Sequence, residues 1–147
     1  MEETTTNRLE NVLLNAHSIS SLEDYLYKDD TTLPYGSFVD YFFSLPEVSG
    51  KDKSEIIRKS GIERTYCYQI FNKRKKPGRD KIIELSIAMG LSLKETQRGL
   101  KIGNEPVLYS RNKRDAIIIF CINEGKNLMD TEELLTEYGE NSLEDWG

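Results

Sequence analysis

The second half of this chain is written twice, and that limits what it can fold into more than any other feature. Shifted against itself by 35 residues, the sequence lays Arg79, Asp80, Ile82, Ile83, Ile87, Gly90, Leu93, Thr96 and Leu100 on Arg114, Asp115, Ile117, Ile118, Ile122, Gly125, Leu128, Thr131 and Leu135. Nine identities over so short a span are more than chance usually gives, so the copies should share one supersecondary unit. Each reads as a helix, a glycine stop, a short turn, a cap (Ser92 or Asn127) and a second helix. The repeat decides the conformation of Ala116 to Ile122, whose β-branched run would by propensity alone be a buried strand. Its counterpart, Ile82 to Met89, has the spacing of an amphipathic helix, so helix is expected in both.

Upstream, the punctuation is also helical. Ser37 followed by Asp40 should open a helix over Phe38 to Leu45, which Pro46 closes. Asp52 with Glu55 forms the pattern of a capping box ahead of Ile56 and Ile57, and Gly61 ends that helix where a left-handed residue is wanted. Glu63 can cap a further helix to about Phe71, before a basic loop, Asn72 to Pro77. Two helices joined so closely form a helix-turn-helix. Apolar steps from Leu9 to Leu26 predict one or two helices before the linker-like stretch Asp29 to Gly36. The predicted fold is all-α. An acidic helical extension and linker occupy 1–35, a five-helix domain 36–104 and a helical hairpin 105–147. Its core should contain Ile56, Ile57, Ile62, Cys67, Ile70, Ile82, Ile83, Leu85, Ile87, Leu93 and Leu100.

The chain has 147 residues and a formal net charge of −5, which at face value disfavours nucleic acid. The distribution reverses that. Residues 1–50 hold two basic and nine acidic groups, residues 51–81 eleven and four, and residues 82–147 seven and twelve. One short basic segment between acidic flanks is the footprint of a local phosphate-binding surface. Cys67 and Cys121 stand alone as small buried hydrophobes would, and His17 has no partner for a zinc site. No metal or cofactor is expected. No nucleophile, metal-protease or phosphate-loop motif is present, so an enzyme is not expected. No apolar stretch is long enough to span a membrane, and the polar start lacks a secretory pattern, so a cytoplasmic location is expected.

From Lys53 to Pro77 the sequence resembles the core of the XRE family of helix-turn-helix regulators, the Cro and phage-repressor type. Ile56 and Ile57 stand four and five residues before Gly61, Ile62 follows it, Cys67 and Ile70 come six and nine after, and a Lys-Arg-Lys-Lys-Pro loop ends sixteen after. The phrases Tyr68-Gln69-Ile70-Phe71 and Gly90 to Gln97 also resemble a bacterial subgroup with a second helical pair. Ile57 stands where the family commonly has alanine, Phe71 where it often has glutamate, and Lys73 where glycine usually ends the second helix; Asn72 is expected to take over that stop.

The resemblance implies a sequence-specific transcriptional regulator whose second helix enters the major groove of double-stranded DNA. Independently, a turn of 100° per residue gathers Arg64, Thr65, Tyr68, Gln69 and Asn72 on one side of that helix, with Tyr66, Cys67 and Ile70 opposite. Arginine suits guanine O6 and N7, glutamine suits adenine N6 and N7, and threonine and tyrosine add hydrogen bonds or a thymine-methyl contact. Positions matching Arg64, Thr65 and Gln69 commonly touch bases in the family, and Tyr68 joins them by its place on the face. Those matching Asn72, Arg74, Lys76 and Lys53 commonly touch phosphates, and Lys73 and Lys75 belong to the same loop. A homodimer is expected, with the acidic N-terminal helices and the second hairpin free to pair subunits or dock a protein partner. The alternative is a protein-interaction adaptor that keeps the helix-turn-helix without binding DNA.

Overall fold

The computed structural model describes residues 36–143, and every regular element among them is helical. The chain divides into two units, Met1–Pro34 and Tyr35–Gly147. The helices expected between Leu9 and Leu26, together with His17, lie outside the described residues. Seven helices follow: α1 Phe38–Ser44, α2 Lys53–Ser60, α3 Arg64–Phe71, α4 Arg79–Ala88, α5 Leu93–Ile102, α6 Lys113–Asn123 and α7 Leu128–Glu137. The run Ala116 to Ile122 lies within α6, so the repeat outweighs its β propensity.

Local chemistry sets the boundaries. Ser37 Oγ accepts from the Asp40 amide at 3.2 Å to open α1. Ser92 and Glu95 form a reciprocal capping box on α5, and Asn127 caps α7 through the Asp130 amide. The box expected at α2 is not closed. Asp52 Oδ1 accepts from Ser54 N at 3.3 Å, while Glu55 turns along the helix to pair with Lys59 at 3.4 Å, one turn on. Three hairpins, α2–α3, α4–α5 and α6–α7, make the same turn. Gly61, Gly90 and Gly125 take φ of 72°, 69° and 70°, and a cap (Glu63, Ser92, Asn127) starts the next helix two residues later.

Ten of the eleven expected core positions are buried, and Leu93 is half-buried at the core's edge. The core also holds an aromatic cluster. Phe42 stacks near Phe38 and Phe71, with centroids at 5.3 and 6.3 Å, and Phe43 meets Phe71 edge-on at 5.0 Å. Phe71, a departure from the family pattern, thus ties α3 to α1. Tyr41 Oη donates to the Glu95 carbonyl at 2.9 Å and ties α1 to α5.

The two 35-residue copies are structural duplicates. Arg79 donates to the carbonyls of Pro106 (2.8 Å) and Val107 (3.0 Å), and Arg114 to those of Asn141 (2.9 Å) and Ser142 (3.0 Å), each 35 residues on. The Leu108 amide donates to Gln97 and the Leu143 amide to Glu132, again in register. Between the copies the bonds are reciprocal. Arg79 forks onto Asp115 at 2.8 and 3.2 Å, and Arg114 forks onto Asp80 at 3.1 and 3.2 Å. The helix pairing is reciprocal too, with α4 packing on α7 and α5 on α6. Residue i on j′ and j on i′ is the signature of a twofold relation, so the hairpins associate as an intramolecular pseudo-dimer rather than as successive turns of a solenoid. The second hairpin, expected to be free to pair subunits or dock a partner, thus spends one side on the first.

Glu84 is the exception among buried groups. It is 3% exposed on α4, and its only described counter-charge, Lys81 Nζ, lies 3.3 Å from Oε1 without forming a well-directed hydrogen bond. Burial pushes its carboxyl up to about 7, against the pull of Lys81. The folded state therefore favours the neutral acid. Its contribution is complete below the ordinary glutamate value of 4.5 and is lost as pH rises through about 7. Denaturant unfolding should show stability falling by roughly 2 kcal/mol from pH 5 to pH 8, and Glu84→Gln should remove most of that fall. An equally steep fall in the variant would assign it to other groups.

Candidate nucleic-acid interface

The turn Gly61-Ile62-Glu63 fixes how α3 leaves α2. Ser60 is buried and its hydroxyl bridges the turn, donating to the Ile57 carbonyl at 2.8 Å and accepting from Ile62 N at 3.1 Å. Ile62 inserts into the core. Glu63 accepts from Thr65 N (3.0 Å) and Tyr66 N (2.9 Å), and the Tyr66 and Thr65 amides hold its carboxyl below the usual glutamate range. The acid beside the candidate reading face is thereby engaged in capping.

Cys67, Ile70 and Phe71 anchor α3 on its inner side. Burial pushes the Cys67 thiol up to about 11, so it stays protonated as a small core residue, and neither Cys67 nor Cys121 is in a disulfide. Arg64, Thr65 and Asn72 are exposed on the opposite side, as expected, while Tyr68 and Gln69 are half-buried. Tyr68 leans back towards α2. Its hydroxyl is 3.4 Å from Ser54 Oγ, and the Arg64 guanidinium lies 5.2 Å from its ring centre. The tyrosine therefore props the arginine from behind. Ser54 was not anticipated, because nothing in the sequence relates it to a residue fourteen positions away.

The end of α3 departs from expectation. Asn72 has an ordinary φ of −87°, and Lys73 itself takes the left-handed conformation at φ 66°. A lysine there is strained relative to glycine, and two observations show what holds it. The amides of Arg74 and Lys75 both donate to the Gln69 carbonyl, at 2.8 and 3.2 Å. Lys73 Nζ meets Asp40 on α1 at 2.7 Å, a contact that holds the Asp40 carboxyl below its usual range. Lys73 was grouped with the phosphate-contacting cations, but it is paired with a carboxylate. Arg74, Lys75 and Lys76 are exposed on the same loop, and Lys75 and Lys76 line, with Phe38, Val39 and Ile70, a cavity of about 300 Å³. Lys53, the first residue of α2, is exposed with Nζ 5.7 Å from the Phe43 ring centre.

Of the ten residues singled out in the sequence, eight are thus exposed on α2, α3 and the following loop, and two, Tyr68 and Gln69, are half-buried on α3. No group of histidine, cysteine or carboxylate side chains among the described residues is arranged to hold a metal ion. No described helix is long and apolar enough to cross a membrane. Comparison with protein-family models, with curated proteins and with solved structures finds no significant match.

Proposed function

We propose that the chain is a sequence-specific DNA-binding regulator of the cytoplasm, in which α2–α3 is a repressor-like helix-turn-helix and α3 reads the major groove. The observation that carries this is the coincidence of one exposed basic edge with one polar helix face. Lys53, Arg64, Arg74, Lys75 and Lys76 are exposed around an eight-residue helix whose outer side offers arginine, threonine and glutamine. Arg64 and Gln69 have the donor and acceptor patterns that discriminate base pairs, and the lysines and Arg74 neutralise phosphates. The Lys53 charge adds to the positive end of the α2 dipole, which suits a backbone phosphate. Two subunits would set their reading helices about 34 Å apart on one side of the duplex.

Selection of bound fragments from sheared genomic DNA at physiological salt tests this. A recurrent site should emerge; if no duplex binds even at low salt, the proposal fails. One observation favours a second reading. Asp40 already neutralises Lys73, so acidic segments of the chain can compete for this basic surface, as an adaptor that holds acidic protein partners would require. Such an adaptor would bind no duplex under either condition.

A further inference from the structure

The two hairpins match in the contacts that clasp them and differ along one groove. The groove, of about 660 Å³, runs between the end of α2 with its turn, Arg58 to Gly61, and α7; α4 packs against both helices and closes the floor with Glu84. At the position of Glu84 the second copy has Ile119, half-buried, so the shared hairpin accepts an apolar side chain there. The first copy instead buries a carboxyl whose Oε1 has no hydrogen-bond partner among the described residues. An orphaned buried oxygen costs stability, so its presence calls for a reason beyond packing. The α7 wall departs from its counterpart in the same sense. Met129, Glu132 and Glu133 stand where α5 has Lys94, Gln97 and Arg98.

We propose that this groove binds a small organic monoamine, with its ammonium against Glu84 and Glu133 and its apolar body on Leu128 and Met129. Four glutamates line the groove against two cations, so it favours positive charge. Glu133 and Glu137 are exposed and form no ion pair among the described residues, whereas Lys59 is already held by Glu55. Half-buried Leu128 and Met129, 71% exposed, supply apolar surface along the same wall. The volume lies within the range that encloses a small ligand. Arg58 and Lys59 on the facing wall oppose a second positive charge, which selects a monoamine over a polyamine. The occupant would also lie against Gly61, in the turn that fixes how α3 leaves α2. An effector of the DNA reading would act there, and the site rests on that reading for this consequence alone.

Glu84 gives such binding a pH dependence. The ionisable groups around it are Lys81 and Asp80 on α4, Glu132 on α7, the Cys67 thiol on α3, and Arg58 and Lys59 across the groove on α2. Burial pushes its carboxyl up to about 7, and an arriving ammonium, which keeps its own charge over this range, draws the proton off. Affinity should therefore rise about tenfold from pH 6 to pH 8. The test is isothermal titration calorimetry of the full chain with 2-phenylethylamine, without DNA. The amine should bind at pH 8, with 3-phenylpropionate and spermidine at least about tenfold weaker, and Glu84→Gln should weaken the amine and abolish the pH dependence. No binding of the amine up to about 10 mM overturns the proposal. So does equal binding of 3-phenylpropionate or spermidine, or a Glu84→Gln variant that keeps the wild-type affinity and its pH dependence. If that variant unfolds, Glu133→Gln combined with Glu137→Gln decides, since both positions are exposed. Unchanged affinity there overturns the proposal. Because no DNA is present, a chain that selects a duplex but binds no amine removes only this site, and one that binds the amine but no duplex removes only the DNA reading.

Discussion

Asp115→Ala is expected to destabilise the fold by about 3 kcal/mol, because it strips a largely buried guanidinium of its partner rather than merely deleting a surface pair. The Asp115 side chain is 7% exposed and that of Arg79 22%, and Asp115 also accepts the Tyr109 amide at 2.9 Å. Burial pushes the Asp115 carboxyl up, but the Arg79 guanidinium and the Tyr109 amide outweigh it and leave it below the usual aspartate value. A lowered value means that its stabilisation is present at neutral pH and is lost as pH falls through the acid range. Urea unfolding should show the midpoint shift with little change in slope. The reciprocal pair supplies the control. Arg114 is 17% exposed and so no less buried than Arg79, but Asp80 is 39% exposed, so water can take its place and no backbone amide loses an acceptor; Asp80→Ala should cost under about 1 kcal/mol. Equal costs at Asp80 and Asp115 would show that burial does not set the value of these pairs.

Lys53→Ala, Arg74→Ala and Lys76→Ala combined are expected to weaken binding to every duplex by roughly a hundredfold at physiological salt and to lower the salt slope by about three. Each cation displaces a condensed counterion whatever the sequence, so the preference for the selected site should survive the loss. Lys73 separates the loop cations by mechanism. Held by Asp40 at 2.7 Å, it should contribute less than its neighbours, and Asp40→Asn should release it and tighten nonspecific binding. If Lys73→Ala costs as much as Arg74→Ala, the ion pair does not persist at the interface.

Most of the described fold was legible in the sequence because its punctuation is local. Gly61, Gly90 and Gly125 with their following caps specify three turns, and the 35-residue repeat makes the last hairpin a copy of the one before it. What stayed hidden depended on tertiary partners. Glu55 could have closed a capping box with Asp52, but Lys59 stands one helical turn away and takes it. Asn72 was the better intrinsic choice for a left-handed residue than Lys73, and only the approach of Asp40 from α1 shows how the lysine is held there. The helical period placed Tyr68 on the free face correctly to within its width, yet could not show that Ser54 draws the ring back beneath Arg64. The twofold relation of the hairpins was likewise out of reach, since a repeat in sequence is equally compatible with translation.

Fluorescence anisotropy of Arg64→Ala and Gln69→Ala, on the selected site and on a scrambled duplex across a salt series, tests the central claim most directly. On the proposed reading both side chains meet base edges, so each substitution should cost about 1 to 3 kcal/mol on the selected site and far less on the scrambled one, collapsing the ratio of the two affinities. A ratio left unchanged by both substitutions would contradict the assignment of α3 as the reading helix.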